Sequence, residues 1–111
     1  MITIDLQGTY NQPMRTRNGQ VINAQFVIAD NPFDLDTCGI EFIVNRVNYQ
    51  GVALLTLNKD NGGVVVTDTD SFTVSIDAPT YDGYTGGAYY TLTIIDGDAV
   101  RTICEGEMTI L

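Results

Sequence analysis

The chain has 111 residues, 44% of them apolar and 17% charged, which is enough to form the core of one domain spanning residues 1–111. Fourteen acidic residues against five basic ones give a net charge of −9, and a surface of that sign repels nucleic-acid phosphates. The sequence has no histidine, which excludes Ser-His-Asp and Cys-His constellations within one subunit. No stretch approaches the roughly 18 apolar residues of a membrane span, so we expect no membrane partner. Because of the negative charge, we also expect no nucleic-acid partner.

The first third of the chain predicts two strands separated by an irregular segment. Apolar residues alternate with polar ones over 2–6 and again over 22–28, the pattern of strands with one buried face. Between them, 7–20 combines turn-forming residues with two arginines and predicts a loop or an irregular edge. The second strand is predicted to end before Pro32, because proline removes a backbone donor.

The middle of the chain predicts a central strand followed by a hairpin. In the run 40–49, Ile40, Phe42 and Val44 are expected to face the core, with Glu41 and Asn45 facing water. Two further apolar runs, 52–57 and 64–66, are separated by 58–63, a cluster of Asn, Asp and Gly. That cluster predicts a hairpin turn between them.

The last third predicts a strand, an exposed loop and a closing hairpin. Alternation over 72–78 indicates a strand, and 79–87 contains too few aliphatic residues for a core segment. Residues 90–94 alternate again, Asp96-Gly97 supplies turn chemistry, and 99–111 is predicted to return as the final strand.

Together these patterns predict an all-β fold, with two packed antiparallel sheets of about seven or eight strands forming a β-sandwich. Val, Ile and Thr supply 35 residues against six alanines, a composition that favours strands over helices. A small closed barrel is the structural alternative, because barrels use the same alternation.

Acidic and sulfur-containing residues offer limited chemistry. Cys38 and Cys104 are compatible with one disulfide or with two buried thiols. Close aspartate pairs at 34/36, 68/70 and 96/98 are compatible with Ca²⁺ but are also typical of exposed turns, and none fits a complete calcium loop. Glu105 and Glu107 lie on one side of the last predicted strand, where a solvated face is favoured over a glycosidase pair. We therefore predict no catalytic residue, no cofactor and no specific metal.

Two segments are candidates for contact with a partner. The loop from Tyr81 to Tyr89 holds three of the six tyrosines, including Tyr84, among flexible glycines, and tyrosine gives a large contact area at low entropic cost. Its alternative role is to cap the end of the sandwich. Arg15 and Arg17 project to one side of an extended segment, where they can pair with acids of a neighbour or remain solvated.

Two stretches of the sequence resemble the immunoglobulin-like sandwich modules of tailed-bacteriophage virion proteins, such as the N-terminal module of upper baseplate proteins. The matching residues lie around the central strand and the closing hairpin: Leu35, Gly39, Phe42, Arg46, Gly87, Tyr89, Tyr90, Leu92, Ile94, Asp96, Gly97, Arg101, Thr102, Ile103, Gly106, Thr109 and Ile110. The resemblance covers most of the chain in order.

The resemblance implies a non-catalytic structural protein of the virion, assembled in the host cytoplasm. It implies an adaptor or accessory module on the tail, neck, baseplate or capsid that binds other virion proteins and copies of itself in a symmetric particle. The sequence ends directly after the predicted closing strand, which favours an accessory piece over a fibre. The alternative is a carbohydrate- or cell-surface-binding module that uses loop tyrosines and calcium.

Overall fold

The structure, a computed structural model, describes residues 2–4, 6, 10–11, 13–16, 22–46, 53–76 and 86–111. Within these residues the fold is all-β and contains no helix, hence none that could cross a membrane. The strands are β1 (Ile2–Ile4), β2 (Tyr10–Asn11), β3 (Met14–Thr16), β4 (Ile22–Ile28), β5 (Gly39–Arg46), β6 (Ala53–Asn58), β7 (Val64–Asp68), β8 (Ser71–Ile76), β9 (Gly86–Asp96) and β10 (Ala99–Ile110).

The strands form two sheets that share one hydrophobic core. The smaller sheet has the order β1-β4-β8-β7. The larger sheet has the order β2-β10-β9-β5-β6, and β3 pairs further along β10, so β2 and β3 form one interrupted edge. Both sheets keep free edges within the described residues, which fits a sandwich and not the closed barrel.

Aromatic pairs stack on each sheet inside the core. Phe26 and Phe72 stack on the smaller sheet with ring centroids 5.4 Å apart, and Phe42 and Tyr90 stack on the larger sheet at 5.2 Å. All four side chains have no exposed surface. The predicted inward positions are confirmed at Phe26, Ile28, Ile40, Phe42, Val44, Phe72 and Val74. The predicted inward side chains of Ile22 and Ile76 lie outside the described part of the chain.

The prediction of purely antiparallel sheets is wrong, because both sheets are mixed. β1 runs parallel to β4, and β2 and β3 run parallel to β10. The chain leaves the smaller sheet after β1, passes down the edge of the larger sheet, and returns to the smaller sheet as β4. β1 and β4 therefore run in the same direction. The same alternation serves parallel and antiparallel edge strands, so the sequence pattern carries no signal for direction.

The predicted hairpin between β6 and β7 is also wrong. β6 pairs with β5 in the larger sheet, whereas β7 pairs with β8 in the smaller one, so 59–63 crosses between the sheets. A Cβ atom on Gly63 would lie only 2.6 Å from Cδ2 and 2.7 Å from Cβ of Leu57. The crossing therefore depends on the close approach that glycine permits at this position.

Two positions depart from simple alternation in the larger sheet. Asn45 was expected to face water but is only 8% exposed, because it lies on the interior strand β5 between β6 and Tyr89 of β9. On β10 the register shifts between Thr102 and Cys104, so Ile103 is an extra, fully buried residue. This bulge breaks the period of two within the final strand. The closing hairpin itself is confirmed, with Gly97 at a φ of 59°.

Candidate functional site

The outer face of the larger sheet, which we call the contact face, carries two of the predicted contact residues. Arg15 is exposed on β3, opposite Thr109 of β10. Tyr89 is half-buried on β9, opposite Glu107 of β10. Because Glu107 and Thr109 are two residues apart on one strand, all four side chains project from the same face. The fold thus places Arg15 and Tyr89 on one surface, separated by β10.

The other predicted contact residues are not part of this arrangement. Arg17, Tyr81 and Tyr84 lie outside the described residues. Tyr89 was predicted to end a loop, but β9 already begins at Gly86, so this tyrosine belongs to a strand. Its ring is therefore held in the sheet and has less freedom than a loop side chain.

The charge on the contact face is mixed. Glu105 and Glu107 project outward from β10, opposite Thr91 and Tyr89, as expected for a solvated pair. Arg15 lies on the neighbouring strand and is the one cation whose side chain is described on this face. A partner that offers an acid to Arg15 would find Thr109 beside it and the Tyr89 ring on the far side of β10, and arginine and tyrosine are both enriched in protein interfaces.

A second organised region lies at the end of the sandwich where β4 ends and β5 begins. Lys59 donates hydrogen bonds through Nζ to the carbonyl oxygens of Leu35 at 2.8 Å, Asp36 at 3.1 Å and Cys38 at 2.9 Å. These carbonyls close a turn in which the N–H groups of Thr37 and Cys38 donate to the Asp34 carbonyl. One ammonium therefore ties the β6–β7 crossing to the β4–β5 crossing.

Asn31 fixes the same end from the other side. Its Nδ2 donates to the carbonyl oxygens of Phe33 and Thr69, both at 2.9 Å, and its Oδ1 accepts from the Phe33 N–H. The preceding residue, Asp30, has a φ of 51°, the left-handed conformation that ends β4. The connection after β4 is thereby joined to the β7–β8 turn.

Aspartates from two of the predicted pairs line a hollow at this end. A space of about 240 Å³ is bounded by Asp34, Asp36, Asp68 and Thr69, together with Phe33 and Leu35. However, Asp34 Oδ1 accepts from the Asp36 N–H and Asp68 Oδ1 accepts from the Thr69 N–H, the local bonds typical of turn aspartates. Within the described part of the chain, no group of three or more His, Cys, Asp or Glu residues is arranged to hold a metal ion.

The two cysteines are buried free thiols. Burial raises the pKa of Cys38, with the nearby Lys59 opposing that change. Burial also raises the pKa of Cys104, and the Tyr90 hydroxyl, 3.4 Å from its sulfur, opposes the change. Both thiols are therefore protonated near neutral pH and pack as small apolar groups.

Sequence reasoning missed the roles of Lys59 and Arg101. Lys59 is the single lysine in the chain, but its uniqueness in the sequence does not indicate which groups its ammonium contacts. Arg101 lies on β10 opposite Ile94 of β9, and its guanidinium donates to the Leu6 carbonyl where the chain leaves β1.

No protein-family model and no curated protein matches this chain.

Proposed function

We propose that the chain is a non-catalytic structural protein of a tailed-bacteriophage virion. It acts as an adaptor or accessory module on the tail, neck, baseplate or capsid, where it binds neighbouring virion proteins and copies of itself. The observation that carries this proposal is the contact face, on which Arg15 and Tyr89 lie on adjacent strands on either side of β10. A sheet face of this kind offers a flat, preformed surface whose strands need no reordering on binding.

The strand order supports the finer assignment of an immunoglobulin-like sandwich. The order β1-β4-β8-β7 corresponds to A-B-E-D of that fold, and β10-β9-β5-β6 corresponds to G-F-C-C′. The parallel pairing of β1 with β4 is a departure from this pattern. The agreement in order across eight strands supports an immunoglobulin-like arrangement of the sandwich.

The proposed mechanism is adhesion without turnover. Tyr89 supplies a large, partly buried ring, and Arg15 supplies a planar donor for a carboxylate of the neighbour. With fourteen acidic residues in the chain, a neighbouring copy carries carboxylates of the kind that this arginine binds. Identical contacts repeated around a symmetry axis then add to a stable ring even where each one is weak.

The proposal predicts that the chain occupies particles in fixed copy number through this face. Phage particles made without the chain should rebind purified wild-type protein, as measured by quantitative mass spectrometry after sedimentation. Arg15→Glu and Tyr89→Ala should each weaken rebinding about tenfold or more, because interface arginines and tyrosines often dominate binding energy.

Val65→Ala provides the control, because Val65 is 52% exposed on the smaller sheet, away from the contact face. It should rebind like the wild type. Particles that contain none of the chain would overturn the virion assignment. Particles that contain it but rebind both contact variants normally would overturn the role of this face alone.

A carbohydrate- or cell-surface-binding module is the second candidate, favoured by the hollow that Asp34, Asp36 and Asp68 line. The adaptor proposal predicts no change in the melting temperature when millimolar Ca²⁺ replaces EDTA, because Asp34 and Asp68 already accept backbone hydrogen bonds. A calcium-dependent rise would favour the second candidate, since a ligand that binds only the folded state stabilises it. Glycan retention that is lost in both Tyr84→Ala and Tyr89→Ala would favour it as well.

A further inference from the structure

One side chain, that of Asn61, covers two backbone groups on the outer edge of β6. Within the described residues, β6 pairs with β5 on one side and with no strand on the other. On the unpaired side, the Thr56 carbonyl accepts from Asn61 Nδ2 at 2.9 Å, and the Asn58 N–H donates to Asn61 Oδ1 at 3.0 Å. Two groups that would otherwise be free to pair with another strand are therefore satisfied.

The geometry of these bonds is that of a strand pairing. In a parallel ladder, a residue of the added strand lies opposite residue i of its partner. It donates its N–H to the carbonyl of residue i−1 and accepts a hydrogen bond from the N–H of residue i+1. The Asn61 carboxamide makes both bonds around Leu57, so it occupies the place of one residue in an added strand.

Further bonds hold the carboxamide in this place. Asn61 Oδ1 also accepts from the Gly63 N–H at 3.0 Å, and the Asn61 N–H donates to Asn58 Oδ1 at 2.8 Å. Only this orientation of the carboxamide directs its oxygen at two N–H groups and its nitrogen at a carbonyl. Three hydrogen bonds made by the carboxamide and one made by the Asn61 backbone N–H thus fix the side chain at the edge of β6.

Two of the other edges carry a charge, a proline or a register shift, and the β1 edge is only three residues long. β3 carries Arg15 and follows Pro13, and β7 has a register shift at its end and finishes in Asp68. Charges, prolines and bulges are the usual means by which edge strands avoid pairing with other chains. β6, with the sequence ALLTLN, has a register shift opposite Val44 and Asn45 but contains neither a charge nor a proline.

We infer that the Asn61 carboxamide closes the β6 edge, and that its displacement lets β6 pair with β6 of a second copy. A second copy fits because antiparallel pairing of two uncharged strands around a two-fold axis sets no like charges opposite each other, despite the net charge of −9. Such pairing joins two larger sheets into one continuous sheet. This inference is independent of the proposed function, because it uses a different surface.

Asn61→Ala tests the inference by uncovering the edge. We expect it to form dimers as its concentration rises from about 10 μM to about 1 mM, the range in which micromolar affinity becomes visible. Light scattering after size-exclusion chromatography measures the mass. Asn61→Asp is the matched control: it keeps an acceptor for the Asn58 and Gly63 N–H groups but places a negative charge at the edge, so it should remain at the mass of the wild type.

Amide hydrogen exchange provides the second readout. At low concentration, Asn61→Ala should exchange the Asn58 amide about tenfold faster than the wild type, because its acceptor is gone. At high concentration the protection of the Asn58 amide in Asn61→Ala should return if β6 of a second copy covers the edge. Adding Thr56→Lys to Asn61→Ala places a charge on that edge, so the Asn58 amide should then stay unprotected at high concentration.

The inference would be overturned if the Asn61→Asp protein formed dimers. It would also be overturned if the Asn61→Ala protein stayed monomeric at high concentration with an unprotected Asn58 amide. Should Asn61→Ala fail to fold, the wild type still decides the matter. An Asn58 amide that exchanges as fast as a free amide in the folded wild type contradicts closure of the edge by Asn61.

Discussion

Phe42→Ala is expected to lower the free energy of unfolding by about 3–5 kcal/mol, the range for removing a fully buried aromatic ring. Phe42 has no exposed surface, lies on the interior strand β5 and stacks on Tyr90. Close packing around the ring leaves its neighbours little freedom to fill the space. Since small domains have a total stability of about 5–15 kcal/mol, this one change removes a large part of it.

Chemical denaturation with urea measures the change, with Val65→Ala as the control. Val65 is half-exposed on the outer side of an edge strand, and its truncation should change stability by no more than about 0.5 kcal/mol. A loss below about 1 kcal/mol for Phe42→Ala would contradict the core described for the larger sheet.

A double-mutant cycle separates the stack from simple burial. Tyr90→Ala also removes a buried ring, and its hydroxyl lies 3.4 Å from the Cys104 sulfur. If the two rings stabilise each other, Phe42→Ala and Tyr90→Ala together should cost less than the sum of the single changes, by about 0.5–1.5 kcal/mol for the aromatic pair. Val65→Ala serves as the independent site, because Val65 is half-exposed on the outer side of the other sheet and is not part of the core.

The core could be predicted from the sequence because burial follows the period of two on each strand. Phe42 and Val44 on β5 and Phe72 and Val74 on β8 are fully buried at predicted positions. The closing hairpin was predictable as well, because Asp96-Gly97 supplies a turn with positive φ between two long alternating runs. In both cases the signal is local in the sequence.

The errors concern relations between segments that are distant in the sequence. The cluster at 58–63 was recognised as a turn, but its residues serve equally well to cross between sheets, and only the packing of Gly63 on Leu57 distinguishes the two roles. The directions of β1, β2 and β3 depend on where the chain changes sheets, which alternation does not encode. Asn45 is buried by strands on both sides of β5 and by its position in the sheet, although its own residue type favours water.

The candidate site was predicted in part. Arg15 and Tyr89 were selected for their residue types and lie on one face, but no local pattern indicates that β10 separates them. Lys59 and Asn61 act through backbone groups of residues 2 to 24 positions away. Backbone acceptors are present at every residue, so no side-chain pattern indicates such contacts.

Lys59→Met is the second change for which we expect a large effect, a loss of about 2–3 kcal/mol in the free energy of unfolding. Methionine keeps most of the unbranched stem but donates no hydrogen bond, so the Leu35, Asp36 and Cys38 carbonyls lose a shared charged donor. The expected loss is below the sum of three charged bonds because the side chain is half-buried and water can replace part of them. Thermal and urea unfolding measure it.

Two controls assign the loss to these bonds. Asp60→Asn changes the charge of the neighbouring exposed residue and should shift stability by no more than about 0.5 kcal/mol. Lys59→Arg keeps the charge but not the compact three-donor head, so it should recover only part of the loss. The amide of Cys38, which donates to the Asp34 carbonyl in the turn that Lys59 closes, should exchange faster in Lys59→Met. Unchanged stability and unchanged Cys38 exchange would show that the two crossings hold their positions without the ammonium.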